Sequence, residues 1–428
     1  MKDAQFTYNL FIKLQFFLKQ KFHARYFPMK YDNNKTLLNL TALSYPCFPA
    51  NTTSLVSKYL TKEIFSQLIL RKTISGFTLS DALKSGIINP DSSVGIYAGD
   101  AESYETFTEI FTPIIEAYHS LKFHSTQGQP GLKQPAKLHT SKMQPDFDNV
   151  SFTNNRSNIP KHTSIFSKHT LNFPNPDPEN RYILSTRIRI ARNLSGFPFT
   201  PFISSKERKE VEHSIINALN HMPPGLQGAY RPMPQDQSLQ NESLQDQPLH
   251  NQSTAVFKKG DQFQEAAGIN RDWPEARGVF ESDNGKFIVW INEEDHLRII
   301  SLDHNGDISD LFNRLGQGVA SLEENLAFAW RSDIGYLTAC PSNLGTGMRA
   351  GVHIKLPGLF QKKDCLENVA KELKLQIRGT QGEKTEVESA VFDISNTQRL
   401  GISEQECCEI LYKGICKIIE IEKSIVNL

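Results

Sequence analysis

The amino-acid sequence predicts an α+β protein, and three observations carry that reading. From Ser57 to Tyr118 the apolar residues recur at helical spacing. Beyond about residue 176 come short runs that read as strands, Ile183–Ile190, Lys286–Asn292 and His296–Leu302. The same half holds two long amphipathic patterns, Ser309–Phe328 and Glu404–Glu420. Strands and long helices segregated in this way suit an α+β domain.

A chain of 428 residues can bury two domain cores. Its 47 basic and 47 acidic residues cancel, which argues against nucleic acid or an anionic membrane as the main partner. Any site for a polyanion therefore has to be local. The six cysteines form no CxxC pair and sit mostly in or beside helical patterns, which suits free thiols in a reducing compartment such as the cytoplasm. No run of about 18 apolar residues occurs, so no transmembrane helix is expected.

Taken in order, residues 1–45 form an aromatic and basic extension with no acid between Asp3 and Asp32, open to reading as an organelle-targeting segment, an unstructured tail or a mistaken start. Residues 46–120 are read as a small helical domain. Leu60, Ile64, Leu68 and Leu70 lie near one stripe, Leu79, Leu83 and Ile87 continue it, and Ser103–Tyr118 turns Phe107, Ile110, Phe111 and Ile114 inward. Between the helical patterns lies a turn-rich loop, Asn89–Asp100. Residues 121–175 are a polar linker too poor in apolar residues to bury a core. The second domain spans 176–428 and carries a Gln/Asn-rich insertion at 234–254, read as a solvated surface segment.

Chemistry concentrates around Cys340-Pro-Ser-Asn-Leu-Gly-Thr-Gly-Met-Arg-Ala-Gly-Val-His-Ile-Lys-Leu-Pro357, a loop that feeds an alternating strand. Gly345-x-Gly347-x-x-Ala350 formally fits a dinucleotide fingerprint. That mechanism needs a helix N-terminus after the glycines, and here a strand is expected. Arg187 and Arg189 alternate on the Ile183–Ile190 strand and so share a face.

The Cys340–Pro357 stretch resembles the cysteine signature of the phosphagen (ATP:guanidino) kinases, and the other motifs recur in that family's order. The resemblance implies a small helical N-terminal domain and a catalytic domain built on an antiparallel sheet flanked by helices. It also implies reversible transfer of the γ-phosphoryl group of MgATP to a guanidino group, with arginine kinases as the most similar subgroup and L-arginine as the expected acceptor. In the family's pattern Arg187, Arg189, Arg298, Arg349 and Arg378 clamp the nucleotide phosphates. Glu294 and Glu383 grip the acceptor, one of them accepting its proton, and Cys340 packs beside it, expected as a thiolate. Their neighbours Glu293 and Asp295 are read as a solvated acidic turn. Ser92, Ser93, Val94, Gly95, Ile96 and Tyr97 match a substrate-specificity loop whose short length and backbone N–H groups suit an α-carboxylate. Magnesium is implied as MgATP or MgADP, held by phosphates and water with no protein metal site. A monomer is expected over a dimer, with no nucleic-acid partner and no stable membrane association.

Four positions depart from the pattern: Ser93, Lys384, Gln398, and Thr254 or His250 near the place of a nucleotide-contacting histidine. They bear on rate and nucleotide affinity. Gly379, Gly382 and the polar run from Arg378 to Glu386 read as a flexible loop that completes the site. The alternatives are a kinase of taurocyamine, glycocyamine or creatine, or a nucleotide-binding homologue without activity.

Overall fold

The computed structural model describes residues 44–122, 170–234, 257–379 and 390–426. Met1–Pro46 and Cys47–Leu428 are separate compact units, and everything below concerns the second. The expectations for the N-terminal extension, for 123–169 and for 235–254 fall outside the described residues. So do Glu383, Lys384, His250 and Thr254.

The helical region opens with α1 (Leu55–Tyr59) and α2 (Lys62–Leu68), where the sequence suggested one stripe. Thr61 adopts extended backbone and its side chain accepts from the Ile64 N–H, so it caps α2 and interrupts the stripe. Leu60 and Leu68 are buried, but Leu70 lies past the helix end and is 83% exposed, contrary to expectation. α3 (Leu79–Ile88) starts at a capping box made by Thr78 and Asp81. α4 (Ser103–Thr106) and α5 (Thr108–His119) bury Phe107, Ile110, Phe111 and Ile114, as their spacing implies.

The larger region runs β1 (Ile183–Arg192), α6 (Ser205–Leu219), β2 (Gly228–Pro232), α7 (Gln262–Ala267), β3 (Gly278–Ser282), β4 (Phe287–Ile291) and β5 (Leu297–Asp303). It continues through α8 (Ile308–Asn325), β6 (Trp330–Arg331), β7 (Gly335–Tyr336), β8 (Met348–Lys355), α9 (Pro357–Phe360), α10 (Lys363–Glu372), β9 (Leu375–Arg378), β10 (Val391–Asn396) and α11 (Glu404–Val426). Among the described residues eight of these strands form one sheet in the order β2-β3-β4-β5-β1-β8-β10-β9. Every ladder in it is antiparallel.

Alternation sorts the sheet into two faces. On one face Ile188, Ile190, Phe287, Val289, Ile299, Val352, Ile354 and Ile394 are buried against Val211 and Ile215 of α6, Leu315 and Val319 of α8, and Leu411 and Ile415 of α11. Each such side chain contributes roughly 1.5–3 kcal/mol by leaving water. On the other face a small cluster of Met233, Phe257, Val279, Ile288 and Ile300 covers one end of the sheet, and charged side chains occupy the rest of the central strands.

The packing of α8 is tight enough to test. A Cβ at Gly318 would lie 2.3 Å from the Phe287 ring, which is itself fully buried. Helix propensity alone would favour Gly318→Ala by about 1 kcal/mol. The clash outweighs it, and a net loss of about 1–3 kcal/mol is expected, read as a lower Tm. A Tm equal to or above that of the wild type would show that α8 has room to shift.

Candidate active site

Cross-strand partners on an antiparallel sheet share a face, so the register decides which side chains meet. Arg189 lies opposite Arg349 and Ile300, and Arg187 lies opposite Gly351 and Leu302. Arg298 lies opposite Ala191, on the same face. Gly351 pairs with Ser395, and Asp393 pairs with Arg378, which extends the row across β10 to β9. All five arginines singled out from the sequence thus project from the face opposite the core.

Their partners differ. Arg349 donates from Nη2 to Asp393 Oδ2 at 2.7 Å and from Nε to Ser395 Oγ at 3.1 Å. Arg378 donates to Gln376 Oε1 at 2.8 Å. Arg187 and Arg189 have no carboxylate partner among the described residues, and the Arg187 guanidinium stands 6.0 Å from the centre of the Trp290 ring. Burial, aided by Arg298 and the neighbouring arginines, lowers the pKa of both, Arg189 strongly. Two buried guanidinium groups, neither paired with a carboxylate among the described residues, favour a bound polyanion.

Beside this row the β4–β5 connection carries the acids. Asn292 takes φ +56 and donates to the carbonyls of Arg208 and Ala276, which fixes the turn. Arg298 holds both glutamates, Glu293 at 2.8 Å and Glu294 at 2.7 Å. Burial raises the pKa of Glu294 against the pull of Arg298. The reading of Glu293 and Asp295 as a solvated turn is corrected here. Glu293 grips the same guanidinium as Glu294, and Asp295 is only 1% exposed. Burial first, and Glu294 second, push Asp295 up to about 7. The short spacing along a tight turn, in place of strand alternation, brings the three acids together.

Cys340 meets this acidic turn from the other side. Its Sγ lies 3.0 Å from Ser342 Oγ, and burial followed by the nearby Glu294 pushes the thiol up to about 12. Burial, with Glu294 beside it, thus favours the neutral thiol over the expected thiolate in this arrangement. The helical region clamps the same segment. Ala98 N–H donates to Ala339 O at 2.8 Å, Tyr104 Oη to Thr338 O at 2.7 Å, and His119 Nε2 to Pro341 O at 2.9 Å. Gly345 (φ +91) and Gly347 (φ +61) make the turn that follows, and a Cβ on Gly345 would lie 2.3 Å from Arg399 O. β8 begins immediately after, so the glycines serve a strand and not a helix N-terminus.

The Ser92–Tyr97 loop packs between α1 and α3. Carbonyls of Ser93 and Val94 accept from Leu55 and Val56 N–H, and Gly95 O accepts from Gly86 N–H. Gly95 has φ +77, and a Cβ there would lie 2.6 Å from Val56 Cγ1. The N–H groups of Ser93, Val94, Gly95 and Ile96 have no acceptor among the described residues. Tyr97 is buried, and its pKa is raised by burial and then by nearby Cys340 and Glu294.

Several residues at the site escaped the reading of the sequence. Asp393 and Ser395 hold Arg349, and their alternation with Phe392 and Ile394 was a usable strand signal. Arg399 donates to Ser342 O and Asn343 Oδ1 and so braces the Cys340 segment. No motif marked it. Among the described residues no group of three or more His, Cys, Asp or Glu side chains could hold a metal ion.

A row of cations able to hold a polyphosphate, set beside buried carboxylates and a thiol, is the equipment of a phosphoryl-transfer enzyme. Residues 210–425 match the C-terminal catalytic domain of the ATP:guanido phosphotransferases, and residues 50–116 match the N-terminal domain. An arginine kinase of Metapenaeus ensis (Met e 2) is 41% identical over 374 residues, 87% of this chain and 93% of its own length. An arginine kinase of Penaeus vannamei (Lit v 2.0101) is 41% identical over 371 residues, 86% of this chain and 93% of its own. Among solved structures, a lombricine kinase superposes with TM-score 0.72 at 32% identity, covering 90% of this chain and 95% of its own. The substrate-free duplicated taurocyamine kinase of Schistosoma mansoni gives TM-score 0.71 at 28% identity, covering 92% of this chain and 49% of that one. The chain belongs to the ATP:guanido phosphotransferase family, the phosphagen kinases, and is a phosphotransferase.

Proposed function

We propose that the protein is an arginine kinase, MgATP + L-arginine giving MgADP and phosphoarginine, reversibly. The single observation that carries the site is the pair Arg187 and Arg189, without carboxylate partners among the described residues and flanked by Arg298 and Arg349, near Glu294, Cys340 and Tyr97. In this reading the five arginines hold the phosphates in line, and magnesium arrives as part of the nucleotide substrate. Glu294 grips the guanidinium and accepts the proton it loses as the N–P bond forms and the Pγ–O bond to ADP breaks. Glu383 is proposed as the second carboxylate. Cys340 packs against the guanidinium, whose positive charge would draw the thiol pKa back down.

Arginine as the acceptor is supported by the short specificity loop, by its N–H groups that lack acceptors, and by the relatives named arginine kinase. A second reading, another guanidino acceptor, is favoured by the likeness to lombricine and taurocyamine kinase structures. Initial rates with arginine, lombricine, taurocyamine, glycocyamine and creatine separate the two. Faster turnover of any acceptor other than arginine would overturn the first reading.

The proposed carboxylate capture makes a further expectation. Amide hydrogen exchange at Ser93–Ile96 is expected to slow when MgADP, nitrate and arginine are all present, and not with MgADP alone. No added protection in the full complex would remove the loop from acceptor binding.

A further inference from the structure

We propose that Asp295 is the positioning residue of the acceptor half of the site, holding the Glu294 turn and the Cys340 segment at a set separation. The inference deepens the reading of the site given above and rests on it. Asp295 Oδ1 accepts two hydrogen bonds from different segments, Asn193 Nδ2 at 2.6 Å and Ala339 N–H at 2.7 Å. Asn193 follows β1, and its own Oδ1 accepts from His296 N–H at 2.9 Å, so this amide holds both the Asp295 carboxylate and the peptide that follows it. Ala339 directly precedes Cys340, and its carbonyl accepts from Ala98, which directly follows Tyr97. One carboxylate oxygen therefore ties the turn bearing Glu294 to the segment bearing Cys340, and the end of the specificity loop joins that segment through Ala339.

The other oxygen, Oδ2, is buried and has no hydrogen-bond partner among the described residues. An unsatisfied buried carboxylate oxygen is unfavourable, and such costs gather where geometry serves function. Nearby Glu294 adds to that cost by opposing the negative charge on Asp295. Asp295 acts through Glu294 and Cys340 and need not touch the reacting atoms.

Two variants test this. Asp295→Ala removes both hydrogen bonds, whereas Asp295→Asn keeps an oxygen for both donors. Alkylation by iodoacetamide, followed by mass spectrometry at Cys340 and at the half-buried Cys365, needs no turnover. In Asp295→Ala, Cys340 is expected to react on the order of tenfold faster relative to Cys365, because the anchor that closes its segment is gone. Asp295→Asn should remain close to the wild type. In steady-state assays Asp295→Ala should raise KM for the guanidino acceptor and lower kcat, together by roughly 10²-fold in kcat/KM, with KM for MgATP unchanged. A merely structural role would lower Tm and the active fraction while leaving the acceptor KM of the surviving enzyme alone.

Unchanged Cys340 reactivity in folded Asp295→Ala overturns the proposal, as does an equal rise in both KM values. If Asp295→Ala does not fold, Asn193→Ala, which removes one of the two donors, is measured for the same direction of change. Wild-type protein that phosphorylates no guanidino compound would sink the functional reading, and the alkylation result would still decide the role of Asp295.

Discussion

Glu294→Gln is expected to lower kcat by at least ~10² while leaving nucleotide affinity close to that of the wild type, the scale of losing one general acid-base group. The amide keeps the size of the side chain but cannot hold a proton from the acceptor. Arg298 keeps its second carboxylate, Glu293, so the phosphate side of the site retains its geometry. Burial raises the Glu294 pKa above its ordinary value, so its charge is carried in the folded protein at a cost. That cost is absent at low pH and present once pH exceeds the folded pKa. Near neutral pH the variant should therefore melt no lower than the wild type, which separates loss of chemistry from loss of fold. For the same reason kcat/KM of the wild type should fall on acidification through a pKa above the usual glutamate range. Full activity of Glu294→Gln, or equal damage to nucleotide binding and turnover, would mean that another group receives the proton.

Arg349→Ala should damage both nucleotide binding and catalysis. Burial and the neighbouring arginines, only partly offset by Asp393, already pull this guanidinium down to about 10, the signature of a crowded cationic site. Its removal deletes one donor to developing charge, worth ~10² to 10³ in kcat by analogy with oxyanion donors. It also leaves Asp393, now ion-paired with Arg349 at 2.7 Å, without that partner on the phosphate face. The double variant Arg349→Ala/Asp393→Ala should bind MgADP more tightly than Arg349→Ala alone, measured by calorimetry. If the second change makes no difference, repulsion by Asp393 is not part of the effect.

The features that the sequence disclosed were those written in short-range pattern. Arg187 and Arg189 two residues apart on an apolar strand, and the amphipathic repeats of α8 and α11, follow from the geometry of one element. Long-range relations were not legible. That Asp393 would neutralise Arg349, or that Arg399 would brace the Cys340 segment, depends on the order of strands in the sheet, which no local window contains. Errors arose where a local rule had a competitor. The stripe through Leu60–Leu70 ignored Thr61, whose hydroxyl caps a new helix. α6, passed over in the sequence, begins at Ser204 and Glu207, a capping box readable as Ser-x-x-Glu. Glu293 and Asp295 were read as a turn, which they are, but as a solvated one, so the burial of Asp295 and the grip of Glu293 on Arg298 were missed.

The two-faced sheet has a consequence for measurement. In β1 the core residues Ile188 and Ile190 alternate with Arg187 and Arg189, so a pairing error of one residue would bring guanidinium groups into the hydrocarbon and isoleucines into the site. Misaligned chains would be both unstable and inert, with no soluble, half-working species in between. Titration of active sites in a refolded or heat-stressed sample should therefore count native molecules, and the specific activity per native molecule should stay constant as the yield falls.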